Sequence, residues 1–212
     1  MDSSAAPATH DGAFLMYAGE SPRTEARKIT IGFAMYIATD VLLAIMFFIG
    51  YMWLRQYNTS GLWYPAGVRT PSSFELLWPA VALAISSLAY AGAQYAVRLD
   101  RLTLMRGLIV LAFLIMVGVM VWEIVNMGHL PMTNTDGSYA ASYLLLLGYH
   151  IFHIMVAVLV GIGIVAHSLR GRFTPVAHAG LDVAGIWWHW VVLYAILFWL
   201  MVLMLPPSLY YR

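Results

Sequence analysis

The sequence predicts an all-α integral membrane protein, a bundle of five transmembrane helices. Three observations lead there. Of its 212 residues 62% are hydrophobic and only 10% charged, against roughly 25% charged in soluble domains. Five apolar runs, each long enough to cross about 30 Å of hydrocarbon, alternate with short polar or Pro/Gly-bearing connections. One run, Ala140 to Val165, embeds Gly148-Tyr149-His150-Ile151-Phe152-His153; such histidines are costly in lipid unless a protein interior or polar cavity receives them.

Residues 1–28 read as a flexible cytoplasmic tail, rich in Ala, Ser, Thr and Gly and without the apolar core of a signal peptide. Near its end, Ser21-Pro22 reads as a helix N-cap followed by proline at the first helical position. The first span, about 29–54, holds Thr39-Asp40 at roughly 17 Å from its start, near the midplane. A connection with Trp63, Tyr64, Pro65 and Pro71 suits the membrane interface. The second span, about 74–97, is rich in Ala, Ser and Gly, which allow close packing. After a charged turn comes the third, about 107–127, with Glu123 near its far end, where a carboxylate is readily solvated. The fourth, about 139–169, follows the turn Thr135-Asp136-Gly137 and places His150 near mid-membrane. The fifth, about 179–205, carries Asp182 early and Trp187-Trp188-His189-Trp190 near its middle. Pro206-Pro207 stops it, leaving 206–212 as an outer C-terminal tail.

Five spans put the termini on opposite sides. Eight basic residues (Arg23, Arg27, Lys28, Arg98, Arg101, Arg106, Arg170, Arg172) then share the N-terminal side, against Arg55, Arg69 and Arg212 opposite. The positive-inside rule makes the chain N-in, C-out.

Composition also excludes. A net charge of +1 gives no basis for nucleic-acid binding. The absence of cysteine rules out disulfides, thiolate metal sites and iron–sulfur clusters. Asp40, His150, His153 and His189 come from three helices at comparable depth. They read either as a metal site or as a buried polar cluster whose members satisfy one another. Di-iron bundles supply Glu-x-x-His twice, and no span has a Glu three residues before a His. A haem held by His189 and one of the other two histidines stays open, as does a proton-coupled transporter.

The motifs resemble one family, subunit III of the haem-copper respiratory oxidases in its five-helix bacterial form. The resemblance rests on Asp136-Gly137-Ser138-Tyr139 followed by Gly148-Tyr149-His150 and His153, on His178-Ala179-Gly180-Leu181-Asp182, on Trp188-His189, and on Thr39-Asp40 and Glu123 at the family's acidic positions. Asp stands where the family has Glu at 40 and 182, and Val192 stands where it has Asp, which marks a divergent member. The resemblance implies a non-catalytic subunit of an oxygen-reducing, proton-translocating complex, with no catalytic, cofactor or metal residues of its own. Haem and copper belong to a partner, subunit I, with subunit II alongside. Bound phospholipid, support of proton uptake and catalytic durability, and a place in the bacterial inner membrane are further implications. A nitric-oxide-reductase-associated relative and a b-type haem anchor using His150, His153 or His189 are the alternatives.

Overall fold

The computed structural model describes residues 22–57, 63–64 and 71–204. The expected N-terminal tail up to residue 21, the Ser21 cap, much of the first connection and the Pro206-Pro207 stop with the tail after it lie outside the described residues.

Five α-helices follow in order: α1 Pro22–Gln56, α2 Ser73–Arg98, α3 Leu102–Gly128, α4 Ser138–Leu169 and α5 Ala179–Met204. All five contain stretches long and apolar enough to cross a membrane. Two helices start earlier than their apolar runs. Helix α1 begins at Pro22, whose fixed φ suits the first helical position, so residues 22–28 are helix. Helix α3 begins at Leu102, five residues before the apolar run expected from Gly107. The α2–α3 turn needs only Leu99, Asp100 and Arg101, with Asp100 in the left-handed region at φ 57°. The first extension carries Arg23, Arg27 and Lys28, while the second, Leu102-Thr103-Leu104-Met105-Arg106, is largely apolar and buries Met105 fully.

Local chemistry sets the other boundaries. Ser72 Oγ accepts the Glu75 backbone N–H at 3.2 Å, while the Ser72 N–H donates to Glu75 Oε2 at 2.7 Å. This reciprocal pair satisfies two amides at the start of α2. At the start of α4, Gly137 takes φ 113°, a conformation that disfavours any side chain. The carboxylate of Asp136 turns back to accept the Thr133 N–H at 2.5 Å and its hydroxyl at 3.0 Å. The Asp-Gly dipeptide thus closes the α3–α4 connection.

Helices α2, α3, α4 and α5 form a closed ring in which each touches its two neighbours. Helix α1 lies outside the ring and, among the described residues, touches only α4 and α5. Its apolar window is 6% buried, against 28–50% in the other four. Lipid is as apolar as a leucine side chain, so ring packing depends on close approach and polar contacts rather than on hydrophobicity. Small residues supply the approach: Ala93, Ala112 and Ala157 are fully buried. A Cβ on Gly161 would stand 2.7 Å from the Phe113 ring and 3.2 Å from that of Trp188, so this glycine lets α3, α4 and α5 meet. One end of the bundle is closed by aromatic rings. Trp63 meets Tyr51 at 5.4 Å and Tyr139 at 5.8 Å, and Tyr64 meets Tyr139 at 4.4 Å. Burial pushes the Tyr64 phenol above its ordinary pKa.

Gly161→Ala is therefore expected to lower stability by about 1–3 kcal/mol through overpacking. Gly163→Ala, where a Cβ meets nothing within 4 Å, should be neutral. Thermal dissociation of the chain in detergent measures both; equal midpoints would show that the α3–α4 approach does not limit stability.

Candidate functional site

The ionisable residues of the spans resolve into three separate sites rather than one cluster. In the first, α1 brings Asp40 against α4 and α5. The carboxylate accepts from the Tyr149 hydroxyl at 2.8 Å and from Trp190 Nε1 at 2.6 Å. His153 Nε2 stands 3.1 Å from Oδ1 and 3.0 Å from Oδ2. Tyr149 also reaches the Asp40 backbone carbonyl at 3.2 Å. The other nitrogen of His153, Nδ1, faces the Tyr149 carbonyl at 2.7 Å. A carbonyl only accepts, so Nδ1 carries a proton. Nε2 and Asp40 then share one further proton, as imidazolium with carboxylate or as neutral imidazole with carboxylic acid. Either way the pair is neutral overall, which suits its depth. The Trp187 ring stacks on His153 at 5.0 Å and 14°, and its Nε1 donates to the His153 carbonyl at 3.3 Å.

In the second site, His150 Nδ1 lies 3.0 Å from Glu123 Oε2, with both side chains deeply buried. The expectation from sequence put Glu123 near a solvated helix end, out of the histidine layer. The structure differs. Glu123 lies five residues from the end of α3 and His150 twelve from the start of α4. Because they pair, α4 begins on the order of 10 Å beyond the end of α3. Helix ends are not level, so depth counted from them misplaces a residue.

The third site holds His189, which does not join Asp40. Its Nδ1 lies 2.7 Å from Ser87 Oγ and its Nε2 3.4 Å from Gln94 Oε1, both on α2. Because the Gln94 oxygen only accepts, Nε2 carries the proton and Ser87 donates to Nδ1. Gln94 Nε2 continues to Asp182 Oδ1 at 3.3 Å, and Asp182 meets Arg98 at 3.0 Å and His178 at 3.4 Å. Beside this line Trp188 Nε1 donates to Ser86 Oγ at 3.0 Å, and Ser86 donates to the Ala112 carbonyl at 2.8 Å, linking α5, α2 and α3.

The remaining motif residues divide in the same way. Asp136 and Gly137 shape the α4 entry, and Tyr139 is buried in the aromatic cap, stacked on Tyr143 at 5.8 Å. Val192 is a buried core residue. A Cβ on Gly148 would meet nothing within 4 Å, and nothing in the structure explains a glycine there. Tyr149, Trp190, Ser87 and Gln94 were not singled out from sequence as site residues. The signal was a hydroxyl, indole N–H or amide inside an apolar run, beside or facing a residue already marked.

The three histidines serve three different groups, so no two offer a common ligand plane for a haem. Among the described residues no group of three or more His, Asp or Glu is placed to hold a metal. Fold and sites together define a membrane-embedded helical subunit whose buried ionisable residues tie helices to one another. A family model described as cytochrome c oxidase subunit III matches residues 13–206. The chain is 26% identical over 204 residues to cytochrome c oxidase subunit 3 of Petromyzon marinus, covering 89% of this chain and 75% of that protein. It is 25% identical over 183 residues to a probable cytochrome c oxidase subunit 3 of Rickettsia prowazekii (strain Madrid E), covering 78% and 64%. The chain belongs to the cytochrome c oxidase subunit III family. It is thus an accessory subunit of a haem-copper oxidase, and the haem and copper lie in the catalytic subunit.

Asp40→Leu strands the Tyr149, Trp190 and His153 donors, at about 1–3 kcal/mol for each buried group, and should sharply reduce the chain recovered with its complex. Asp40→Asn keeps an acceptor and should be milder. Equal recovery of Asp40→Leu and the parent would remove Asp40 from the assembly of α1.

Proposed function

We propose that the chain packs on catalytic subunit I, with subunit II in the same complex, N-in and C-out in a bacterial inner membrane. There it holds phospholipid and supports proton uptake and catalytic durability. The observation that carries this reading is an apolar groove of about 390 Å3 between α1, α4 and α5, lined by Phe33, Tyr36, Val160, Ile164, Val183 and Trp187. It lies where α1, outside the ring, runs beside α4 and α5. The groove lies at the bundle end where Arg27 and Lys28 stand in the early turns of α1 and where Arg170 and Arg172 follow α4. An acyl chain fits the apolar walls, and basic residues at one level favour a phosphate headgroup. The same residues, with Arg98, Arg101 and Arg106, support the N-in orientation.

Two measurements test it. Reporters fused at Met1 and after Arg212 should read cytoplasmic and periplasmic respectively; a cytoplasmic C-terminus overturns the orientation. Val183→Trp narrows the groove without touching Asp40. Complexes carrying it should retain less phospholipid after delipidation and lose oxygen uptake faster during turnover, with unchanged haem spectra. Parent-like lipid content and lifetime would separate the groove from lipid binding.

A further inference from the structure

Within the ring of α2 to α5, at the end that bears the first turn of α2, lies a small cavity of about 20 Å3. Its polar lining comes from Glu75, Glu123, Asn126 and His150, with Tyr143 and Trp199 among the other walls. His150 is the informative member. Its ring is 1% exposed, and Nδ1 is taken by Glu123. Nε2 is buried and has no hydrogen-bond partner among the described residues. Every protonation state of imidazole makes this nitrogen a donor or an acceptor, and a bare one inside a protein costs about 1–3 kcal/mol. The neighbouring aromatic does not satisfy it: Tyr194 stacks on the ring at 5.5 Å and 22° while its hydroxyl donates to the Leu146 carbonyl. One water needs about 10–15 Å3 and two to four polar partners. The cavity has that room and those groups.

We propose that this cavity is a water-binding site that joins the buried Glu123–His150 pair to the bundle end at Glu75 and lets the pair exchange protons there. With the ring neutral, Nδ1 donates to the Glu123 carboxylate and Nε2 accepts from the water. A proton delivered through the water settles on Nε2, and the site passes from a net charge of −1 to a neutral imidazolium–carboxylate pair. Release reverses these steps, with no bond formed to carbon and no redox change. The titratable groups facing the cavity are Glu75, Glu123, Tyr143 and His150. The Asp40–His153 pair engages α1 and stands apart from it. Glu75, half-buried in its capping pair with Ser72, marks the mouth.

The intact oxidase complex, solved to a resolution that shows ordered water, is the first test. A water is expected within about 2.7–3.2 Å of His150 Nε2, with a second contact to Glu75, Glu123 or Asn126. No density at Nε2, or a side chain bonded there, overturns the site. The second test is the rate at which the His150 imidazole ring bands in the infrared, assigned by their loss in His150→Gln, respond to transfer into heavy water. In Ala80→Leu the added side chain fills the cavity while Glu123 and His150 remain, so exchange must await opening of the bundle and should slow by about tenfold or more. An unchanged rate in an assembled Ala80→Leu complex overturns the proton port. Should that variant not assemble, the density in the parent complex decides the proposal.

Discussion

The position of α1 depends on one interaction, the reception of Asp40 by Tyr149, His153 and Trp190. A helix surrounded by lipid gains little from apolar contact with its neighbours, and only 6% of the residues in the apolar window of α1 are buried. What fixes it is direction. Three side-chain donor groups from two helices converge on one carboxylate, and a slip of one residue would swing that carboxylate by about 100°. The depth and rotation of α1 follow from this meeting point. The shared proton between Asp40 and His153 keeps the anchor neutral, and therefore tolerable where no water screens it.

Helix α5 contributes side chains that reach three of its neighbours within a single turn. Its residues 187 to 190 are consecutive, so they fan out around the helix. Trp187 covers His153 on α4, Trp188 reaches Ser86 on α2, His189 meets Ser87 and Gln94 on α2, and Trp190 reaches Asp40 on α1. Such a run is hydrophobic all round yet carries an N–H on each side chain, which suits a helix buried among three others. It explains why this stretch has no apolar face in the ordinary amphipathic sense.

The five helices were legible because length and apolarity decide a span almost alone. Asp40 was legible too, since an acid in mid-span demands a partner. The partners were only half legible. His150 and His153 stand three residues apart and so diverge by about 60° on α4; that angle is enough to send one to α3 and the other to α1. Reading them as one group assumed a single neighbour in front of both. Glu123 was misplaced because the sequence shows distance from a helix end but not how far that end protrudes. His189 went to α2 because the ring order of the helices decides which face of α5 looks at which neighbour, and that order is a tertiary fact.

The isolation of α1 from α2 and α3 also constrains how the protein is made. Helix α1 leaves the ribosome before the ring helices, yet among the described residues it makes no contact with the next two. Its carboxylate must wait for His153, 113 residues later, and for Trp190, 150 residues later. At about 5–20 residues per second this is a delay on the order of ten seconds. During it, an acid whose insertion costs about 2.5–3.5 kcal/mol lies in the bilayer without its native donors. The strongly apolar remainder of α1 is what retains it there. The native site is therefore complete only when α4 and α5 arrive, and these later helices capture the earlier one.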